Sequence, residues 1–146
     1  MATSPDARVV QLDGRSKVYR PLPFEERRAA VLEGLALYGD GEAFEAHEAW
    51  EPAWMGTDDL AERALLQGLI KLSAAYVHSV RGNPTGIARN LEGARNRLEE
   101  AHEDGRHTAG LDLDALLHDI DLRLAQLAAD PDRQPSSAPD LRRTAG

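Results

Sequence analysis

The chain has 146 residues, a length that suits one domain, with 42% hydrophobic and 29% charged residues and a net charge of −8. It contains no cysteine, which excludes disulfides, thiol nucleophiles and cysteine-bound zinc, so any metal must be held by His, Asp or Glu. The acidic balance argues against nucleic acid as a partner. No apolar run approaches the roughly 18 residues that a membrane span needs, and the start, M-A-T-S-P-D-A-R, lacks a secretory core, so the expectation is a cytoplasmic protein.

Residues 1–22 show no sustained period and mix Pro5, Gly14 and Pro21 with charges. They read as an N-terminal arm or a disordered tail. The helical domain is predicted over residues 23–129. Pro23 suits a first helical turn, and Phe24, Arg28, Val31, Leu35 and Tyr38 then recur at three and four residues, with Leu32 alongside. Gly39-Asp40-Gly41 closes this helix. A second begins near Glu42. In it, Pro52 removes an amide donor and crowds the carbonyl of Glu48, so a kink or a restart is expected there.

Met55-Gly56-Thr57 is a link, with Thr57 or Asp58 as the cap of a third helix over 58–81. Leu65, Leu69, Leu72 and Tyr76 make one seam, and Leu66, Ile70, Ser73 and Val77 lie beside it. An element apolar over so much of its circumference belongs at the centre, and Gly68 lets a neighbour approach closely. Gly82-Asn83-Pro84 marks the next boundary. Ile87, Leu91, Ala94, Leu98 and Ala101 define a fourth helix, residues 103–110 a loop, and Asp112 or Asp114 the cap of a fifth helix that ends at Asp130-Pro131. Residues 130–146, rich in Pro, Ser, Asp and Arg, read as a disordered C-terminal tail. The predicted fold is all-α, a single-domain bundle of about five helices.

The chemistry concentrates in A-F-E-A-H-E-A-W-E-P-A-W, from Ala43 to Trp54, which holds both tryptophans. On a helix, Phe44, His47, Glu48 and Glu51 fall within an arc of roughly 100°. His47 and Glu51 stand at i and i+4, so their side chains can converge on one ion or one proton. The pattern H-E-x-x-E differs from the zinc-protease H-E-x-x-H in its last ligand, and a third ligand must come from elsewhere. A second polar strip follows on the third helix, where Gln67, Lys71 and His78 lie within roughly 40° of one another. A short link makes the two helices antiparallel neighbours, so the strips are expected to meet or to line one cleft.

Each feature also has a plain reading. His47, Glu48 and Glu51 suit a charged helix face with local salt bridges, and Gln67, Lys71 and His78 suit the solvent side of a central helix. Phe44, Trp50 and Trp54 read as core packing, and His102, His107 and His118 as exposed or capping residues. Lys71 has two roles open to it. It can neutralise the glutamates and displace a metal, or it can hold an anionic substrate at the edge of the site.

Three stretches, F-E-A-H-E-A-W-E-P-A-W, L-L-Q-G-L-I-K-L-S-A-A-Y-V-H and R-G-N-P-T-G-I-A-R-N-L, resemble in that order the domain of unknown function 309 family, over residues 24 to 102 or so. The resemblance implies an α-helical bundle. The family also carries, by inference, the label of a metal-dependent hydrolase. The matching polar positions are His47, Glu48, Glu51, Gln67 and His78, with Gly82, Asn83 and Gly86 at a turn; Pro52 departs from the pattern.

Two functions follow as expectations. One is a hydrolase with a divalent metal held by His47, Glu51 and His78, Glu48 as general base, Gln67 orienting the substrate and Lys71 at the edge. The other is a non-catalytic binding or self-associating module in which the same residues form a structural network. The partner is then a small molecule or a protein, a homo-oligomer included.

Overall fold

The structure, a computed structural model, describes residues 8–10, 16–80, 84–130 and 137–144; of residues 8–10, 16–18, 78–80 and 84 it describes the backbone. The five predicted helices are present: α1 (Phe24–Gly39), α2 (Ala43–Met55), α3 (Leu60–Val80), α4 (Pro84–Asp104) and α5 (Leu113–Ala129). Ahead of them, β1 (Arg8–Val10) and β2 (Ser16–Val18) pair antiparallel, with Val9 opposite Lys17. The fold is an all-α single-domain bundle to which this small hairpin is appended.

The central place of α3 follows from its two apolar seams. Leu65, Leu69, Leu72 and Tyr76 are all buried, as are Leu66 and Ser73, and the Ser73 hydroxyl satisfies itself by donating to the Ile70 carbonyl at 2.8 Å. α3 packs on α2 on one side and on α4 on the other, while α1 covers α2 and α5 covers α4. The fourth helix has the cleanest pattern: Ile87, Leu91, Ala94, Leu98 and Ala101 are each 1% exposed or less. Burial of this kind stabilises by about 1.5–3 kcal/mol for each large aliphatic side chain. Gly68 performs the predicted service, since a β-carbon there would lie 2.6 Å from Cγ of Leu98.

The α1–α2 turn shows how the local sequence sets the geometry. The amide of Glu42 donates to the Leu37 carbonyl and that of Gly41 to the Tyr38 carbonyl, at 2.9 and 3.0 Å. This is a Schellman closure, and Gly41 takes the left-handed conformation it requires, φ 83°.

Four expectations are corrected. The cap of α3 is Asp59, not Thr57 or Asp58. Its carboxylate accepts from the amides of Ala61 and Glu62 at 2.9 and 3.1 Å, while Thr57 Oγ1 accepts from the Asp59 amide. α4 runs on to Asp104, into the expected loop. α2 continues through Pro52 to Met55, so the alternative of a helix that restarts at the proline is ruled out. Finally, residues 137–144 lie against the domain rather than free of it. Pro139 is buried and its carbonyl accepts from the Tyr38 hydroxyl at 2.9 Å; Arg123 donates twice to the Ser137 carbonyl; Leu111 and Arg143 form a β-bridge. Composition fails here because the anchors are backbone groups, which no polar side-chain count reveals.

At the other terminus, Tyr19 is buried, and the amides of Arg20 and Leu22 donate to the carbonyls of Met55 and Gly56 at 3.0 Å. The segment entering α1 is thereby tied to the end of α2.

Candidate functional site

α2 sorts its residues by face. Ala46, Trp50, Ala53 and Trp54 point inward and are buried. Trp50 donates its indole N–H to the Val31 carbonyl at 3.1 Å, which fixes the rotation of α2 against α1. With that stripe turned in, the arc holding Phe44, His47, Glu48 and Glu51 comes to the flank. Phe44 is 53% exposed, so the expectation of core packing holds for both tryptophans and fails for this ring. It belongs to the polar arc by its place on the helix.

The structure brings His47, Glu48 and Glu51 together. Nδ1 of His47 lies 3.6 Å from Oε1 of Glu48 and 3.9 Å from Oε2 of Glu51, and one donor atom from each of the three falls within 4.8 Å of the others. The side chains of His47 and Glu51 are half-buried and Nδ1 is shielded from water, whereas the Glu48 carboxylate is largely exposed. The donor set passes a simple test of fit. Nitrogen and oxygen donors about 2.0–2.2 Å from a zinc-like ion stand roughly 3.0–3.5 Å apart. The two spacings from His47 lie within a few tenths of an ångström of that range, and all three donors fall within 4.8 Å, so the set closes on an ion by side-chain movement of about an ångström.

Gln67 and Lys71 are half-buried on α3. The carbon stem of Lys71 runs over Gly93 of α4, where a β-carbon would come within 2.8 Å of its Cδ. Sequence reasoning did not see this use of Gly93. The side chain of His78, like residues 82 and 83 of the turn, lies outside the described residues, while its backbone continues α3.

A second constellation was missed. His107, expected as an exposed or capping residue, stands between two carboxylates of the α3 start: Nε2 is 3.4 Å from Asp59 Oδ2, and Nδ1 is 3.9 Å from Glu62 Oε2. Glu62, buried, also accepts from Nε of Arg27 at 2.8 Å. The Asp59 carboxyl is held below its ordinary range, first by the backbone bond from Glu62, then by His107, the Ala61 amide and Arg106, with burial opposing. The one sequence signal was the i, i+3 pair Asp59 and Glu62; nothing pointed to the loop residue that meets it.

A histidine and two glutamates on the flank of one helix, in a small bundle with a central third helix, define an all-α protein with a candidate cation site. Residues 31–90, from the middle of α1 to the first turns of α4, match the model of a protein family described as a domain of unknown function (DUF309). The resemblance read from the three motifs is borne out by that match over these residues. No curated protein and no solved structure matches the chain.

Proposed function

We propose that His47 and Glu51 hold a divalent cation beside Glu48 and that the protein is a metal-dependent hydrolase. The observation that carries this reading is the convergence of three donor atoms within 4.8 Å on one helix flank. His47 and Glu51 are the half-buried ligands. His78 is the candidate third ligand from α3, and Glu48 stays available as general base because its carboxylate is the most exposed of the three. A divalent cation with open positions supplies an acidified water and polarises the bond to be cleaved. Gln67 orients the substrate, and Lys71 meets an anionic group on it.

The test is a titration of the protein, purified without a metal-affinity tag, with zinc, manganese and iron(II), followed by calorimetry and by a screen of phosphate and carboxylate esters. One cation per chain, lost in His47→Ala and Glu51→Gln, is the expected result. Failure to bind any of the three sinks the reading.

A second reading is favoured by the same distances. A protonated imidazole at 3.6 and 3.9 Å from two carboxylates is an ion-pair geometry in its own right. The cluster is then structural, and the protein is a non-catalytic binding or self-associating module. Sedimentation at several concentrations tests the self-association.

A further inference from the structure

A cavity of about 470 Å³ opens between the first half of α1, the first half of α3 and the loop joining α4 to α5. No residue of α2 lines it, so it is separate from the His47 cluster. Its volume is that of a small-molecule site. Its walls are largely apolar, from Phe24, Val31, Leu65, Leu66 and Ala109.

The charges around it are unusual for this chain. Three arginines and one glutamate line the cavity, a surplus of positive groups in a protein of net charge −8. Most of them are committed. Arg27 is tied to Glu62 at 2.8 Å and donates to the Leu22 carbonyl, and its guanidinium lies 5.7 Å from the centre of the Phe24 ring. Arg106 is held by Asp104 at 3.0 Å and by Asp59 at 3.7 Å. Glu62 and Asp59 are in turn occupied by Arg27, Arg106 and His107. One guanidinium is left over. Arg28 faces the cavity and pairs with no carboxylate among the described residues. The carboxylates are spent inside the cluster, and the surplus charge stands at the mouth of an apolar chamber.

We propose that this cavity is a binding site for a small organic acid. The apolar body of the ligand fills the chamber between Val31, Leu65 and Leu66, and its carboxylate pairs with Arg28. Arginine suits the task because its planar fork matches a carboxylate in two parallel hydrogen bonds. Glu62, neutralised by Arg27, does not repel the acid, and the bound Arg27 keeps the Phe24 wall in place.

Octanoate is the probe, with octanol as its neutral counterpart, titrated into the full chain by calorimetry. The expected result is saturable binding of one octanoate per chain. Arg28→Glu weakens it by about tenfold or more, Arg28→Lys weakens it less because the charge stays and only the fork is lost, and octanol binds at least about tenfold more weakly. Arg28 is exposed, so these variants are expected to fold; circular dichroism checks each one. Thr108→Trp, which fills the chamber from the loop, abolishes binding. No binding up to about 10 mM octanoate, equal affinity for octanol, or an unchanged affinity in Arg28→Glu overturns the proposal. The His47→Ala variant must bind octanoate as the parent does; if it loses octanoate while remaining folded, the acid sits at the other site and this assignment is wrong.

Discussion

The indole of Trp50 occupies the space that a β-carbon on Gly34 would need: such a carbon would stand 2.1 Å from Nε1. The same nitrogen donates to the Val31 carbonyl, one turn before the glycine. The α1–α2 contact therefore works as a hole in one helix filled by a ring from the other, and it is this contact that turns the His47 flank outward.

Gly34→Ala should destabilise the fold. Alanine gains up to about 1 kcal/mol of helix propensity over glycine, but overpacking against a fully buried ring costs typically 1–3 kcal/mol, and more when the neighbour has no room to move. The net expectation is a loss of about 1–2 kcal/mol in urea unfolding, with a change in tryptophan emission. A variant as stable as the parent would show that the indole has another place to go.

Gly68 and Leu98 make the corresponding contact between α3 and α4, and here the partner can be removed. Gly68→Ala alone should cost about 1–3 kcal/mol. In a Leu98→Ala background the clashes with Cγ and Cδ2 disappear and only the 3.2 Å approach to the Leu98 backbone nitrogen remains, so the same substitution should cost much less than in the parent. The cycle is expected to show a coupling of at least about 1 kcal/mol. Additive effects would contradict the contact.

The sequence shows such features unevenly. The seam of α4 is plain because Ile87, Leu91, Ala94, Leu98 and Ala101 keep one helical spacing and all are buried. The convergence of His47, Glu48 and Glu51 is plain for the same reason, since one turn of a helix fixes it. Phe44 misleads because hydrophobicity speaks for the inside while the register set by Trp50 puts the ring outside. His107 and Pro139 are invisible because their partners, Asp59 and Tyr38, are distant in the chain and are reached through a loop and a backbone carbonyl. Periodicity reports contacts within an element and is silent on these.

The docking of residues 137–144 can be measured. Burial pushes the Tyr38 hydroxyl far above its ordinary range, with Tyr76 and Asp140 adding to it and Arg123 opposing, so it remains a donor at any working pH. Tyr38→Phe leaves the Pro139 carbonyl unsatisfied at a cost of about 1–2 kcal/mol. Removing residues 137–146 should cost more, and the amide of Asp112, which donates to the Arg142 carbonyl, should then exchange faster with solvent. Unchanged exchange would mean that the segment is not docked in solution.

Asp59 links stability to acid. Its folded carboxyl titrates below its ordinary value of 3.8. The unfolded chain therefore binds the proton first as pH falls. Its contribution is present above the unfolded value and is lost as pH falls through the folded one. Asp59→Ala should cost about 1 kcal/mol near neutrality through the lost cap and should flatten the acid limb of the stability curve below about pH 4. Asp59→Asn keeps the cap and loses the ion pairs with His107 and Arg106, so it should flatten the acid limb with a smaller loss at neutral pH. An acid limb unchanged in both variants would remove Asp59 from the account.

The two readings of the His47 cluster differ in what they predict for stability with and without a cation. A bound ion adds RT ln(1 + [L]/Kd), about 2.7 kcal/mol when the free ion is at 100 times its Kd. On the hydrolase reading, zinc or manganese raises the melting temperature of the parent and does nothing for His47→Ala or Glu51→Gln. Without metal Glu51→Gln is as stable as the parent or more so, because it removes one of two carboxylates brought to one helix flank, a cost that the ion otherwise offsets. On the structural reading the signs reverse. The imidazolium is then the group that offsets the carboxylates at 3.6 and 3.9 Å, so His47→Ala lowers stability in the absence of any metal, and added cation changes nothing. Glu48→Gln separates the roles further. It should leave cation affinity within about tenfold of the parent while removing most turnover, since a general base contributes typically 10²–10⁴-fold. Loss of the cation in Glu48→Gln would instead make it a ligand, and destabilisation by His47→Ala together with no response of the parent to any added cation would rule out the hydrolase reading of this site.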